Sequence, residues 1–211
     1  YPAGKTLMKH FPEQVESSTV ISNFIGETLK HGGKNYSSKI IAADSLFFQT
    51  MGIPLIKGNT FDLNIPDARF LSNSQARQIF GDQDPMGKVV IWGGYYEKVV
   101  KGIFADVPEN VTIETKAVIS MNSIDMRKGW NSGGNYLTMI RLKEGADPDF
   151  INQHTSTVFA NYLPINDHYG QYGIKGIDIS VAPLKGYHLQ QSKAMTMIYI
   201  MSLLAIVLLL A

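Results

Sequence analysis

Residues 194–211 read AMTMIYIMSLLAIVLLLA, eighteen positions without a charged side chain. No other stretch limits the fold so strongly. A helix needs about 20 mostly apolar residues to cross a bilayer, and about 18 already mark a candidate. A helix packed in a soluble core keeps a polar stripe, and this run has no polar side chain after Ser202. The expectation is the start of a transmembrane helix, truncated at Ala211, with everything before it in water. The first residue is Tyr1, so an upstream part is expected as well, and no signal-peptide pattern is present.

The rest of the chain suffices for one ordinary domain or two small lobes. Hydrophobic residues make up 45% and charged residues 18%, so a packed core is expected and wholesale disorder is not. The net charge is +1 with no basic cluster, which argues against nucleic acid as a partner. There is no cysteine. Disulfides, thiolate metal sites and cysteine nucleophiles are therefore excluded.

Local signals place the elements. A short helix over 5–11 stops at Pro12. Residues 15–30 and 36–43 read as two strands of a hairpin, turning at His31-Gly32-Gly33-Lys34-Asn35. Asp44 is positioned to cap a helix over 45–51, with Gly52 closing it. Residues 54–58 are extended and 59–67 are loop. A strand ends at Phe70-Leu71. Ser72 and Gln75 form a capping box for a helix that runs to Phe80, and Gly81 ends it in a left-handed cap. Residues 89–92 and 95–105 form a second hairpin across Gly93-Gly94. Further strands are expected within 112–121, over 136–142 and over 177–181. Asp147-Pro148 starts a helix reaching Tyr162, with Pro164 just beyond it. Residues 129–134, rich in Gly, Ser and Asn, read as a hinge. Hairpins mixed with strand–helix–strand units indicate an α+β fold in two lobes. One lobe is a mixed α/β unit of residues 1–67 plus 133–192. The other is an inserted, mostly β unit of 68–132. Residues 194–211 follow as the start of the span.

Reactive chemistry is hard to find. Gly81 to Lys88 looks like a phosphate loop, but five residues separate the glycines instead of four. One of them is Pro85, and Val89 stands where a magnesium-binding hydroxyl is needed. The five histidines, His10, His31, His154, His168 and His188, show no metal-ligand spacing. The carboxylate pairs Asp82/Asp84, Asp106/Glu109 and Asp147/Asp149 flank turns or helix starts, where Asp bonds to backbone. No catalytic, cofactor or metal residue is assigned. Trp92, Tyr95 and Tyr96 at a hairpin tip suit cross-strand packing first and an exposed partner contact second.

Taken together, several segments resemble one family. DSLFFQTMGIPLIKG at 44–58 is similar to a D-x-x-F-F…L-x-x-G stretch of the MacB-like periplasmic core domain of FtsX-like ABC-transporter permeases. FLSNSQARQIFGDQDPMGK at 70–88 resembles its signature S-x-x-x-A-x-x-x-F-G-x-x-D-P-x-G-K, carried by Ser72, Ala76, Phe80, Gly81, Asp84, Pro85, Gly87 and Lys88. VVKGIFADVPEN at 99–110 and the late pieces at 137–145, 182–184 and 188–189 are in the family's order.

The resemblance implies a porter-like lobe near the membrane and an inserted lobe farther out. It implies a location on the periplasmic side of a bacterial inner membrane. The implied partners are a separate or fused ABC ATPase, a second permease copy, and a periplasmic adaptor or outer-membrane channel. The implied function is relay of ATP-driven movement to expel or release peptides, macrolides or lipoproteins, with no enzyme activity and no cofactor in this domain. A ligand-sensing domain of a membrane receptor is the alternative. A periplasmic hydrolase is a third class, which would require clustered titratable groups in a pocket.

Overall fold

The computed structural model describes residues 2–22, 28–108, 113–124, 128–130, 136–162 and 179–184. The chain begins with helix α1 (Ala3–His10), then strands β1 (Val15–Ser22), β2 (Thr28–His31), β3 (Lys34–Ser37) and β4 (Ile40–Ala43). Helix α2 (Phe47–Met51), strand β5 (Leu55–Gly58) and a 3-10 turn (Thr60–Asn64) follow. Strand β6 (Ala68–Ser72) runs straight into helix α3 (Asn73–Phe80), which leads to β7 (Val89–Trp92), β8 (Tyr96–Phe104) and β9 (Ala117–Ser120). Strand β10 (Leu137–Leu142) and helix α4 (Pro148–Ala160) complete the elements.

All ten strands form one mixed sheet in the order β10-β1-β4-β9-β6-β8-β7-β2-β3, with β5 added against β8. The pairs β4–β9 and β6–β8 are parallel and the others antiparallel. The fold is therefore α+β, as expected. Strands from residues 1–67 pair with strands from 68–132, namely β4 with β9, β5 with β8 and β2 with β7.

The central strands β4, β6 and β9 are buried at every position. Strands covered on both faces read as continuous apolar runs without alternation. One face packs Leu71, Val100 and Ile119 under Ala76, Ile79 and Phe80 of α3. The other packs Phe70, Phe104 and Val118 against Phe47 and Phe48 of α2. A third cluster joins α1 and α4 through Leu7, Phe11, Ile151 and Phe159.

Three local readings change. The run 15–30 is two strands: β1 pairs with β10 and touches β4 only at Ile21 and Ser22, whereas β2 forms the tight hairpin with β3. Residues 23–27 between them lie outside the described set. Asp44 does not cap α2, whose N-cap is Leu46 without a side-chain bond. Its carboxylate instead accepts from Thr19 Oγ1 at 2.8 Å, Val20 N–H at 3.2 Å and Leu46 N–H at 3.1 Å, which ties the α2 turn to β1. Burial still holds Asp44 above the usual carboxylate range, outweighing these bonds and the nearby Lys5. Finally, residues 179–181 are not a strand. Val181 is held by a side chain, with its N–H donating to Asn152 Oδ1 at 2.6 Å and its carbonyl accepting from Nδ2 at 3.0 Å.

No helix among the described residues is long and apolar enough to cross a membrane. The expected span at 194–211 lies outside the described residues, as do Pro164, His168, His188, residues 177–178 and residues 131–134 of the expected hinge.

Candidate functional site

The segment 72–88 is the natural place to look for a site, and its residues turn out to hold each other. Ser72 ends β6 in an extended conformation and its Oγ accepts from Gln75 N–H at 3.3 Å. A second acceptor completes the cap, because Asp106 Oδ1 accepts from Ser74 N–H at 2.9 Å. Burial alone would raise the Asp106 pKa, but the hydrogen bonds from Ser74 and Ser72 outweigh it and hold the carboxyl below its usual range. Only half of the expected capping box forms. The Gln75 amide turns to Gln78 instead of back to the cap, and its Oε1 is buried without a hydrogen bond.

Ala76, Ile79 and Phe80 face the core as expected. Gly81 has φ 62° and ψ −131°, so it is not a left-handed cap. Positive φ with strongly negative ψ is closed to residues with a side chain, which makes glycine a stricter requirement here. A Cβ at Gly81 would meet nothing within 4 Å, so any penalty is pure backbone strain. Gly81→Val should destabilise the domain by about 1–3 kcal/mol. Thermal melts check this, and an unchanged midpoint would remove the assignment.

Beyond Gly81 the chain is stapled down. Asp84 Oδ1 accepts from Met86 N–H at 3.2 Å and from Lys57 Nζ at 3.3 Å, which keeps its pKa low. Gly87 N–H donates to Val100 O at 2.8 Å and Lys88 N–H to Pro85 O at 3.1 Å. The Lys88 ammonium bonds to Gln83 and lies 5.3 Å from the Phe80 ring centroid. The N–H groups of Met86, Gly87 and Lys88 are thus occupied inside the protein and do not form a phosphate cradle.

At the second hairpin Trp92 pairs with Tyr96, leaving a three-residue loop, Gly93-Gly94-Tyr95, in place of the expected two-residue link. The three aromatics part company. Trp92 packs on the α3 side of the sheet and stacks on Tyr96 at 5.3 Å. Tyr95 is 74% exposed and Tyr96 47%, their rings 4.4 Å apart. The hydrogen bond between Tyr96 and Tyr95 raises the Tyr96 phenol above its usual range.

The remaining ionisable side chains do not converge. His10 pairs with the Tyr162 hydroxyl, His31 with Val89 O and His154 with Phe150 O. Asp147 caps α4 through Asp149 N–H. Among the described residues no group of three His, Asp or Glu could hold a metal. Two features went unread in the sequence. Arg69, in the middle of β6, is fully buried with no hydrogen-bond partner for its guanidinium. A groove of about 400 Å³ also runs along β10. A lone charge inside the apolar run ARFLS was the available signal for the first. The second had none, because its walls come from distant segments.

This fold is similar to those of solved domains of transporter permeases. No family model and no curated protein matches the chain. Among solved structures it is similar to a permease-protein domain from Porphyromonas gingivalis, with TM-score 0.65 and 20% identity over 77% of each chain. It is similar to the periplasmic region of MacB from Actinobacillus actinomycetemcomitans, with TM-score 0.57 and 17% identity over 75% of this chain and 71% of that one. The extracellular domain of the noncanonical ABC-type transporter YknZ from Gram-positive bacteria also matches, with TM-score 0.52 and 16% identity over 82% and 84% of the two chains. The resemblance read from the motifs thus holds at the level of the fold.

Proposed function

We propose that this chain is the extracytoplasmic domain of an ABC-transporter permease, and that it relays ATP-driven movement into expulsion or release of substrates outside the membrane. The observation that carries the reading is the fold shared with three permease domains from different bacteria. The internal bonding of 72–88 supports it, since Ser72, Asp84, Gly87 and Lys88 spend their polar groups on holding the segment in place. A sheet packed on both faces transmits displacement with little deformation. Peptides, macrolides or lipoproteins are the substrate classes, acting through a cytoplasmic ATPase, a second permease copy and an adaptor or channel. Residues 194–211 would enter the membrane, and the division into lobes 1–67 plus 133–192 and 68–132 is part of the same proposal.

These 211 residues contain no cysteine, so a label introduced here is unique among them, and any cysteine elsewhere in the permease or its ATPase is replaced first. A spin label at Tyr95→Cys, an exposed position, in the complete permease with its ATPase should report different distances between the two copies in nucleotide-free and ATP-bound states. Identical distance distributions in both states would defeat the relay. The purified domain itself should show no saturable ATP hydrolysis.

A further inference from the structure

Arg69 lies on the α3 face of the sheet, between Val100 of β8 and Ile119 of β9. Its side chain is fully buried, and none of its three guanidinium nitrogens has a hydrogen-bond partner. It takes part in none of the ion pairs among the described residues. A buried charge paired with nothing is among the costliest single features a fold can carry. All three nitrogens are shut off from solvent, so water reaches them only when the packing above them moves.

Helix α3 is part of that packing. It leaves β6 at Ser72 without a loop and runs back over the same face. Arg69 stands about 10 Å before Ser72 along the strand, a distance the helix recovers after roughly seven residues. Arg69 is therefore level with Ile79 and Phe80, the last residues of α3.

The two ends of α3 are held unequally. At the N-terminal end Gln75 N–H donates to Ser72 Oγ and Ser74 N–H to Asp106. At the C-terminal end the carbonyls of Gln78 and Ile79 have no donor among the described residues. The chain leaves that end through Gly81, at φ 62°. What keeps it down is apolar: Ile79 and Phe80 are buried, and the Phe80 ring meets the His31 ring edge-on at 4.6 Å. Exposing two such side chains costs about the same order of free energy as hydrating one buried guanidinium returns. States that close in free energy are both populated.

We propose that α3 is a flap hinged at its capped N-terminus, whose C-terminal turn lifts to let water reach Arg69. The closed form is the ground state, and the unhydrated charge beneath it drives the opening. Residues 81–83 take up the motion. The turn beyond them stays clamped, through Asp84 to Lys57 and through Gly87 N–H to Val100 O. The inference rests on Arg69 and does not depend on ATP coupling.

The test treats the full chain with phenylglyoxal, which adds to guanidinium groups, and reads each site by mass spectrometry. The arginines are Arg69, Arg77, Arg127 and Arg141. Arg77, which is exposed, sets the unhindered rate. Arg69 should react slowly in native buffer, at a rate nearly independent of low urea, because lifting one turn exposes little surface. Amide exchange at Gln78, Ile79, Phe80 and Gly81 should show the same flat urea dependence, while the buried strand β9 reports global unfolding with a steep one. Arg69→Met should slow exchange at those four amides at least about tenfold. Arg69→Lys keeps a buried charge and should keep the fast exchange. Reaction of Arg69 that follows the steep urea dependence of β9 would overturn the flap, since global unfolding would then be the way in. Reaction of Arg69 while the α3 amides are as protected as β9 would overturn it too, as would unchanged α3 exchange in Arg69→Met. The wild-type labelling decides the matter even if a variant does not fold.

Discussion

Arg69→Met should make the protein more stable at neutral pH, by about 2–4 kcal/mol. Arg69 sits mid-strand in β6, opposite Val100 of β8 and Ile119 of β9, both fully buried. The next residue in that row, Ala42 of β4, is also apolar and buried. None of the three guanidinium nitrogens has a hydrogen-bond partner. Burial pushes the group well below the usual guanidinium range, down to about 9, so it is still protonated at pH 7 and the fold bears the cost of an uncompensated charge. Methionine fills a similar length of core without that charge. The melting temperature should rise by roughly 5–15 °C for a chain of this size.

The pH dependence has a definite sign. Because the folded pKa lies below the unfolded value, the unfolded state binds more protons from about pH 9 up to the ordinary guanidinium range. The wild-type penalty is therefore complete below pH 9 and is relieved as pH rises above it. Wild type should gain on Arg69→Met there, where subtracting one melt from the other removes the lysines and tyrosines common to both. A variant less stable than wild type at pH 7 would show that the guanidinium is paired, and would sink this reading.

What was legible in the sequence is what short-range rules decide. Ser72 and Gly81 bracket α3, and Asp147-Pro148 starts α4, because caps and stops are written within four residues. The Gly32-Gly33 turn was legible for the same reason. Strand partnership was not. β1 pairs mainly with β10, more than a hundred residues away, and β2 with β7, because both faces of the sheet must be covered and no local pattern records which segment will cover them. Asp44 illustrates the limit within a single residue. Its position before a helix suggested a cap, and its carboxylate does accept from Leu46 N–H, but the strand beside it added two donors, Thr19 and Val20, that no local pattern records. The motif resemblance reached the fold because 70–88 encodes a whole strand–helix–turn unit, β6, α3 and the turn into β7. The β10 groove is the opposite case. It exists only where α1, α2, β10 and 179–184 meet.

The second large effect is expected at Gly102, where alanine should cost about 3 kcal/mol. Strand β8 is the hub of the sheet, pairing with β5, β6 and β7, and receiving the signature turn through the bond from Gly87 N–H to Val100 O. Gly102 lies opposite Phe70 of β6, and the Phe70 ring folds over it. A Cβ at position 102 would sit 2.2 Å from two atoms of that ring. The ring has nowhere to go, because Phe70 is fully buried and its centroid is 5.3 Å from that of Phe48, which is in turn 5.3 Å from Phe104. Either the aromatic cluster or the β6–β8 pairing must yield, and both are sheet centre. Phe70→Leu removes most of the colliding ring, so Gly102→Ala should cost clearly less in that background than in wild type. A double-mutant cycle on chemical denaturation measures the difference, and contacting residues typically couple by about 0.5–3 kcal/mol. Strict additivity would mean that the ring does not rest on Gly102, and the central packing of the sheet would have to be described differently.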